Sequence, residues 1–216
     1  MIDQSETARY SDFFNHRPTE EIARAILGKR LVYRSPQGLL SGYLVEVEAY
    51  LGEKDSTAHA YKGRRTAANE ALYGPPATIY IFTLRGYMML NVITQNPGTP
   101  QGILIRAAEP EHGRAIMEQN RGKTGFALTS GPGRLTQAFG IRDRSLNLES
   151  MGTAPLHIAL NGGRQPAEIA ASARIGVSRR GNSTFAPYRF FVKGNPYVSD
   201  MKKRDMDLAT HGWRMG

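Results

Sequence analysis

The chain contains no cysteine among its 216 residues. Disulfides, thiolate metal sites, iron–sulfur clusters and a cysteine nucleophile are therefore excluded. No apolar run approaches the roughly 18 residues that a membrane helix requires. The first ten residues carry two acidic side chains and no apolar stretch, which is atypical of a secretory signal. These absences predict a soluble cytoplasmic protein that has no membrane partner.

Metal-ligand spacing is also absent. The five histidines show no paired arrangement such as H-x-x-x-H or H-E-x-x-H. We therefore expect no metal site and no cofactor.

The charge that is present is basic and unevenly placed. Residues 1–60 hold 7 Lys+Arg and 9 Asp+Glu, whereas residues 61–216 hold 21 and 10, so the net excess of +9 arises beyond residue 60. Short basic clusters flanked by glycine, at 62–65 and 179–181, indicate loops in which a cation can approach a phosphate. Such loops favour a nucleic-acid partner, although they are equally typical of solvated surface.

Glycine and proline are spread through the chain, with no repeat or long linker. We expect a single domain at 18–200, an N-terminal arm at 1–17 and a basic C-terminal tail at 201–216. Hairpins mixed with short helices predict an α+β fold with a curved antiparallel sheet, a protruding β-hairpin and surrounding short helices.

The individual elements follow from patterning and turn residues. Thr19 is a predicted N-cap of a helix that Gly28 ends. Strands are predicted at 30–34, 39–50, 78–83, 102–106, 156–160 and 188–193. Further helices are predicted at 66–72, 111–121, 134–139 and 167–173.

One strand carries candidate chemistry. In residues 44–50, alternation places Glu46, Glu48 and Tyr50 on the face opposite to the valines. This pattern is typical of a half-exposed strand with a polar outer face. His59 and the basic loop at 62–65 follow closely, so the same segment also offers the groups needed for hydrolysis on a nucleic acid.

Short segments over most of the chain occur in a specific order and spacing. They are VEVEAYLG (45–52) with Asp55, Ala58 and His59, GRRT (63–66) with Asn69, TIYIF (78–82), LNV (90–92), ILIRA (103–107) with Glu109 and Pro110, SGPGRL (130–135), ARIGV (173–177), RFFV (189–192) and GNP (194–196). Together, from about residue 18 to 199, they resemble the alkyladenine (3-methyladenine) DNA glycosylase family.

The resemblance implies a monofunctional enzyme that flips a nucleotide out of double-stranded DNA, excises an alkylated purine and starts base excision repair. It assigns Glu48 as the general base that activates water for attack on the sugar C1′. It assigns Arg106 to holding that water and the local phosphate, where the residues alone would equally allow a simple salt bridge.

The resemblance also implies a base pocket. Tyr50, His59 and Phe82 correspond to its walls, because a flipped base must recover stacking. Asn91 corresponds to the residue that excludes guanine through its 2-amino group. From the residues alone, Phe82 could be a core aromatic, His59 a backbone cap and Asn91 a turn residue.

DNA contacts are expected from the residues Arg64, Arg65, Arg85, Tyr87 and Arg134, the last of which follows a Gly131-Pro132-Gly133 turn. Two departures from the family affect these expectations. Arg85 occupies the place of the tyrosine that wedges behind the flipped nucleotide, in a turn one residue shorter, which makes Tyr87 an alternative wedge. Phe82 replaces a tyrosine and removes a hydroxyl from the pocket wall.

Two other functions remain open at this point. A non-catalytic nucleic-acid binding module on the same scaffold would explain Arg85 and Phe82 as signs of a drifted site. Hydrolysis of free nucleosides or of RNA is the third reading. For the lead function we expect a monomer associated with DNA in the cytoplasm, followed by an abasic-site endonuclease.

Overall fold

The structure is a computed structural model that describes residues 4–179 and 181–215. Within these ranges the chain forms four α-helices and eight β-strands. The helices are α1 (Gln4–Phe13), α2 (Thr19–Ile26), α3 (Arg114–Arg121) and α4 (Pro132–Ala138). The strands are β1 (Arg30–Ser35), β2 (Gly38–Tyr50), β3 (Ile79–Leu84), β4 (Tyr87–Thr94), β5 (Gln101–His112), β6 (Leu156–Ala159), β7 (Ile169–Ser172) and β8 (Arg189–Val192). None of these described helices is long and apolar enough to cross a membrane.

The strands form one antiparallel sheet in the order β3-β4-β5-β2-β1-β6. β2 is central: β5 follows one edge, and β1 and then β8 follow the other, with β7 beyond β8. Register shifts around Glu46 interrupt the β2–β5 ladder. Bulges of this kind bend a strand, so the sheet curves where β2 carries its acidic residues. The predicted α+β fold with a curved antiparallel sheet is confirmed.

Helix α2, near the start of the domain, packs onto this sheet. Ile22, Ala23 and Ile26 form its buried stripe, and two acids in its first turn complement the helix dipole. The residue before it, Pro18, occupies the N-cap position. The predicted cap by Thr19 is therefore wrong: the Thr19 hydroxyl bonds to Thr94 and Gln101 instead, at 2.7 Å each.

Gly28 ends this region for a steric reason. Its φ is +82°, and a Cβ there would lie 1.9 Å from the carbonyl oxygen of Arg164. Only glycine permits both the left-handed backbone and the close approach of the 164 segment.

Most of the predicted elements are present, and two helices are not. Residues 167–173 contain strand β7, whose partner is β8, so tertiary pairing overrides the helical preference of Ala170 and Ala171. The helix predicted at 66–72 is reduced to a 3-10 turn at Glu70–Tyr73. There the Asn69 side chain accepts from the Thr66 N–H at 2.7 Å and holds a turn in place of a helical start.

One strand is not indicated by its sequence pattern, and another is longer than its pattern indicates. β4 follows the exposed turn at Arg85-Gly86 and was not predicted as a strand, although a protruding hairpin was. β5 continues from 101 to 112, well beyond the predicted 102–106. Both strands are buried over most of their length, so their sequences lack the alternation that marks a half-exposed strand.

The two terminal segments pack onto the domain. The predicted arm contains α1, and Tyr10 and Phe14 lie in the core with 4% and 0% of their surface exposed. In the predicted tail, the indole N–H of Trp213 donates to the buried carboxylate of Glu109 at 2.8 Å. Of the basic cluster at 179–181, Arg180 lies outside the described residues.

We expect Phe14→Ala to lower the free energy of unfolding by roughly 3–5 kcal/mol, because a fully buried ring is lost. Phe185→Ala is the matched control: Phe185 is 81% exposed, so its removal should change stability by less than about 0.5 kcal/mol. Urea unfolding measures both. Equal effects would show that the segment after α1 is not part of the cooperative core.

Candidate active site

A pocket of about 400 Å³ opens where β2 ends beside the β3–β4 hairpin. β5, the start of α4 and the segment after β7 complete its wall. Its lining includes Tyr50, His59, Tyr80, Phe82, Leu84, Arg85, Met89, Asn91, Leu104, Arg106, Pro132 and residues 175–178. This volume is within the range of small-ligand pockets, roughly 300–1,000 Å³.

One wall is aromatic. The His59 ring meets Phe82 edge-on, with centroids 4.4 Å apart, and Phe82 lies 5.4 Å from Tyr80. The hydroxyl of Tyr80 is 2.9 Å from Nδ1 of His59. Desolvation against these rings, and then the Arg64 cation, lower the pKa of His59. The imidazole therefore favours its neutral form, suited to stacking beside an uncharged or cationic ring.

Asn91 is fixed at the base of the pocket. Its amide nitrogen donates to the carbonyl oxygens of Tyr80 at 3.1 Å and Met89 at 3.2 Å. Both N–H groups are thus committed to the main chain, and the side chain is 6% exposed. Asn91 is a rigid part of the wall because moving it would leave its buried amide N–H groups without these acceptors.

Glu48 lies directly behind the residues that line the pocket and is fully buried. Its Oε1 accepts from the Ile175 N–H at 2.8 Å and pairs with Nη1 of Arg106 at 3.1 Å. Its Oε2 accepts from the Tyr50 hydroxyl at 2.9 Å. Burial raises the pKa of Glu48, while Arg106 and the two hydrogen-bond donors oppose that rise. All three of these contact residues line the pocket.

Glu46 supports Arg106 from the other side. Its Oε1 accepts from Nε of Arg106 at 2.8 Å, from Nε of Arg189 at 2.7 Å and from the Ser199 hydroxyl at 2.7 Å. Its Oε2 accepts from the Ser199 N–H at 2.8 Å. Burial alone would raise the pKa of Glu46, but the two arginines and these hydrogen bonds hold it below its usual range. The charge of Arg106 is thereby shared between two carboxylates.

A second buried ion pair, between Arg174 and Asp55, connects the other segments around the pocket. Arg174 donates to both carboxylate oxygens of Asp55, at 2.5 and 2.9 Å, and to the carbonyl oxygen of Ala49 at 2.9 Å. Its guanidinium lies 4.5 Å from the centroid of the Tyr50 ring. Arg174 therefore fixes Tyr50, the loop that carries His59 and the Ile175 N–H relative to one another.

The sequence profile of the methylpurine-DNA glycosylase (MPG) family matches residues 12–196. The chain is 51% identical over 202 residues to a protein of Latilactobacillus sakei subsp. sakei, covering 93% of this chain and 95% of that protein. It is 46% identical over 202 residues to a protein of Staphylococcus saprophyticus, covering 94% and 99%. Both relatives are provisionally named 3-methyladenine DNA glycosylases. The chain belongs to the methylpurine-DNA glycosylase family.

In this DNA glycosylase, the residues expected in the site do meet around one pocket. Tyr50, His59, Phe82 and Asn91 line it together with Arg106, and Glu48 lies behind it. The interpretation of residues 44–50 as a half-exposed strand with a polar outer face is wrong, because Glu46 and Glu48 are both 0% exposed. β5 and β8 pair with the two edges of this part of β2, and the segments that carry Ile175 and Ser199 contact the two carboxylates.

Sequence reasoning missed the supports of the site. Arg174, Arg189 and Ser199 are distant in the chain from the residues that they hold, and Tyr80 was assigned no role. Arg174 and Arg189 lie inside two segments that carry the family resemblance, at 173–177 and 189–192. Those segments were the sequence signal that could have indicated a role for both arginines. The motif marked the residues, but only the fold shows what they contact.

The expected DNA contacts have different surroundings. Arg64, Arg85 and Arg134 are exposed, and Arg85 also lines the pocket mouth. Arg65 pairs with Glu70 and stacks on the Tyr73 ring at 4.5 Å. Arg134 donates back to the Ser130 carbonyl at 3.1 Å. Their exposure leaves these cations accessible to phosphates from outside.

We expect Glu46→Gln to lower the free energy of unfolding by about 3–5 kcal/mol, because it leaves buried arginines without their counter-charge. The matched control is Glu168→Gln, which removes an exposed ion pair with Lys193 whose side chains are both 60% exposed. That change should cost less than about 1 kcal/mol.

The pH dependence gives a second readout of the same variant. Because the folded-state pKa of Glu46 is depressed, its contribution is present above the unfolded-state pKa and is lost as pH falls through the folded-state pKa. The stability difference between wild type and Glu46→Gln should therefore shrink on acidification. Urea unfolding at several pH values measures it, and a constant difference would exclude the ion pair as its cause.

Proposed function

We propose that the protein excises alkylated purines from double-stranded DNA by base flipping and water attack on C1′. The substrates are 3-methyladenine and 7-methylguanine, with hypoxanthine and 1,N6-ethenoadenine as further candidates. The observation that carries the proposal is the position of Glu48. Its carboxylate contacts Tyr50, Arg106 and Ile175, and all three of these residues line the base-sized pocket. The protein acts as a monomer associated with DNA in the cytoplasm.

Glu48 retains the capacity to bind a water. A carboxylate offers about four lone-pair sites, and three are occupied, two on Oε1 and one on Oε2. The remaining site on Oε2 can accept a proton from water. Burial raises the pKa of Glu48, which makes its carboxylate a stronger base than an exposed one.

In the reaction, the water oxygen bonds to C1′ while the bond from C1′ to the purine nitrogen breaks. The electron pair of the breaking bond leaves with the base, and Glu48 takes a proton from the water. The anionic Glu48 also stabilises the oxocarbenium-like charge that develops on the sugar. The product is an abasic site, which an abasic-site endonuclease would process next.

The pocket favours a purine with positive charge. Tyr50 and Phe82 offer aromatic faces, and stacking on them returns roughly 1–3 kcal/mol per base against the cost of unstacking. An alkylated purine that carries a positive charge gains additional cation–π attraction. Asn91 is pinned by two main-chain bonds and opposes a 2-amino group, which supports its role in excluding neutral guanine. For cationic 7-methylguanine, the additional cation–π attraction offsets this contact.

Arg85 supports contact with DNA at the pocket mouth. It occupies the hairpin turn with a φ of +50°, a conformation that glycine or asparagine adopts with less strain. Strained residues at a site mouth are retained where the side chain is needed. An exposed arginine there can bind a phosphate beside the flipped nucleotide.

The proposal is tested with DNA that contains each of the four modified bases. Wild type should release free base from at least one, and Glu48→Gln should release it roughly 10²–10⁴-fold more slowly while binding DNA equally well. Glu53→Gln is the matched control, since Glu53 is exposed in the turn that follows β2. Its activity should equal that of wild type.

Other outcomes separate the alternatives. Binding without release of any base would favour the non-catalytic module, and unchanged release by Glu48→Gln would remove Glu48 from its role. Cleavage of free nucleosides or RNA in preference to duplex DNA would assign a different substrate class.

The rate should also depend on pH with a predictable sign. Water activation needs the ionised form of Glu48, whose pKa is raised by burial. Release should therefore fall about tenfold per pH unit below that raised pKa and level off above it. Single-turnover release of 7-methylguanine suits this test because the methylated base is already cationic and needs no protonation to leave. A rate that is flat on the acidic side would exclude Glu48 as the base.

A further inference from the structure

The β3–β4 hairpin presents three cross-strand pairs along one face, from the pocket floor to its rim. Its register pairs Tyr80 with Asn91, Phe82 with Met89, and Leu84 with Tyr87. The exposed fraction rises from 3% at Tyr80 to 49% at Leu84. Leu84 also lines the pocket. It is therefore an exposed apolar side chain at the mouth, in line with the aromatic wall.

Tyr87, the partner of Leu84, is held by other contacts. A Cβ placed on Gly133 of α4 would lie 2.9 Å from both Cβ and Cγ of Tyr87, so the tyrosine packs directly on that glycine. The hydroxyl of Thr136 in the same helix donates to the Met88 carbonyl at 2.8 Å. These contacts brace the start of β4 against α4. Tyr87 is 43% exposed, and moving it into DNA would break its packing on Gly133.

Arg85 is accessible but has the wrong chemistry for insertion. Its guanidinium would lose its hydration between stacked bases without gaining a partner there. At the phosphate backbone the same group gains a strong contact. The turn itself is unpacked, because a Cβ on Gly86 would meet nothing within 4 Å. The hairpin tip can therefore approach a duplex without steric hindrance from the protein.

We infer that Leu84 is the side chain that fills the space left by the flipped nucleotide, while Arg85 binds the adjacent phosphate and Tyr87 braces the hairpin. Apolar residues inserted at a base step unstack it and hold it open. Leu84 is suited to this because it lies on the pocket face, next to the wall that receives the base. This inference rests on the proposed function.

The test measures flipping directly. Ethenoadenine fluorescence changes when the base leaves the stack of the duplex and enters the pocket, so the change reports extrusion, and the Glu48→Gln background slows cleavage. Adding Leu84→Ala should lower the flipping equilibrium roughly tenfold, as removal of buried methylene groups predicts. Leu84→Met should restore it. Leu39→Ala is the matched control, a leucine 46% exposed on the β1–β2 hairpin, and should have no effect.

Arg85→Ala separates the two roles at the tip. It should weaken DNA binding and reduce the slope of log affinity against log salt by about one, with flipping of bound DNA retained within twofold. The inference is overturned if adding Leu84→Ala leaves flipping equal to that of the Glu48→Gln parent, or if Arg85→Ala loses flipping in its place. Failure of wild type to release any base would instead refute the proposed function, so the two failures are distinguishable.

Discussion

The carboxylate of Glu46 lies fully buried between the guanidinium groups of Arg106 and Arg189, at 2.8 and 2.7 Å. Glu46 shares the charge of Arg106 and fixes its orientation towards Glu48, which lies 3.1 Å from its Nη1. A buried ion pair that loses one partner leaves an uncompensated charge, which costs far more than the intact pair contributes. The position and protonation of Glu48 therefore depend on a carboxylate that does not face the pocket.

Charge in this protein is divided between an internal and an external set. The buried carboxylate of Glu109 pairs with the partly exposed Arg164 at 2.8 Å. Among the other described residues, three buried arginines, at 106, 174 and 189, are matched by three buried carboxylates, at 46, 48 and 55. These six groups cancel, so the formal excess of +9 is carried by the remaining, mostly exposed side chains. Surface charge attracts the phosphate backbone through a salt-dependent, sequence-independent term. The neutral interior leaves recognition of the base to ring faces and to Asn91.

The candidate site was predictable to the extent that its side chains lie in short, recognisable segments. Glu48 and Tyr50 are two residues apart on one strand, and period-two geometry places them together. The hairpin tip was less predictable from sequence, because the departure from the family at Arg85 makes Arg85 and Tyr87 the candidates for insertion. The exposed position of Leu84, which this residue type alone does not indicate, became visible only from the register of β3 and β4.

The sequence by itself determined the chemistry: the absence of cysteine, the basic excess beyond residue 60, and a strand that offers Glu48. It also determined the family, since ordered motifs cover most of the chain. Tertiary structure alone decided that β2 is buried on both faces, that residues 167–173 form a strand, and that Arg174 and Arg189 support the site. The reason is physical. Burial and pairing depend on contacts between residues that are distant in the chain, such as β7 with β8 or Glu48 with Ile175, which is 127 positions away, and no local pattern encodes them.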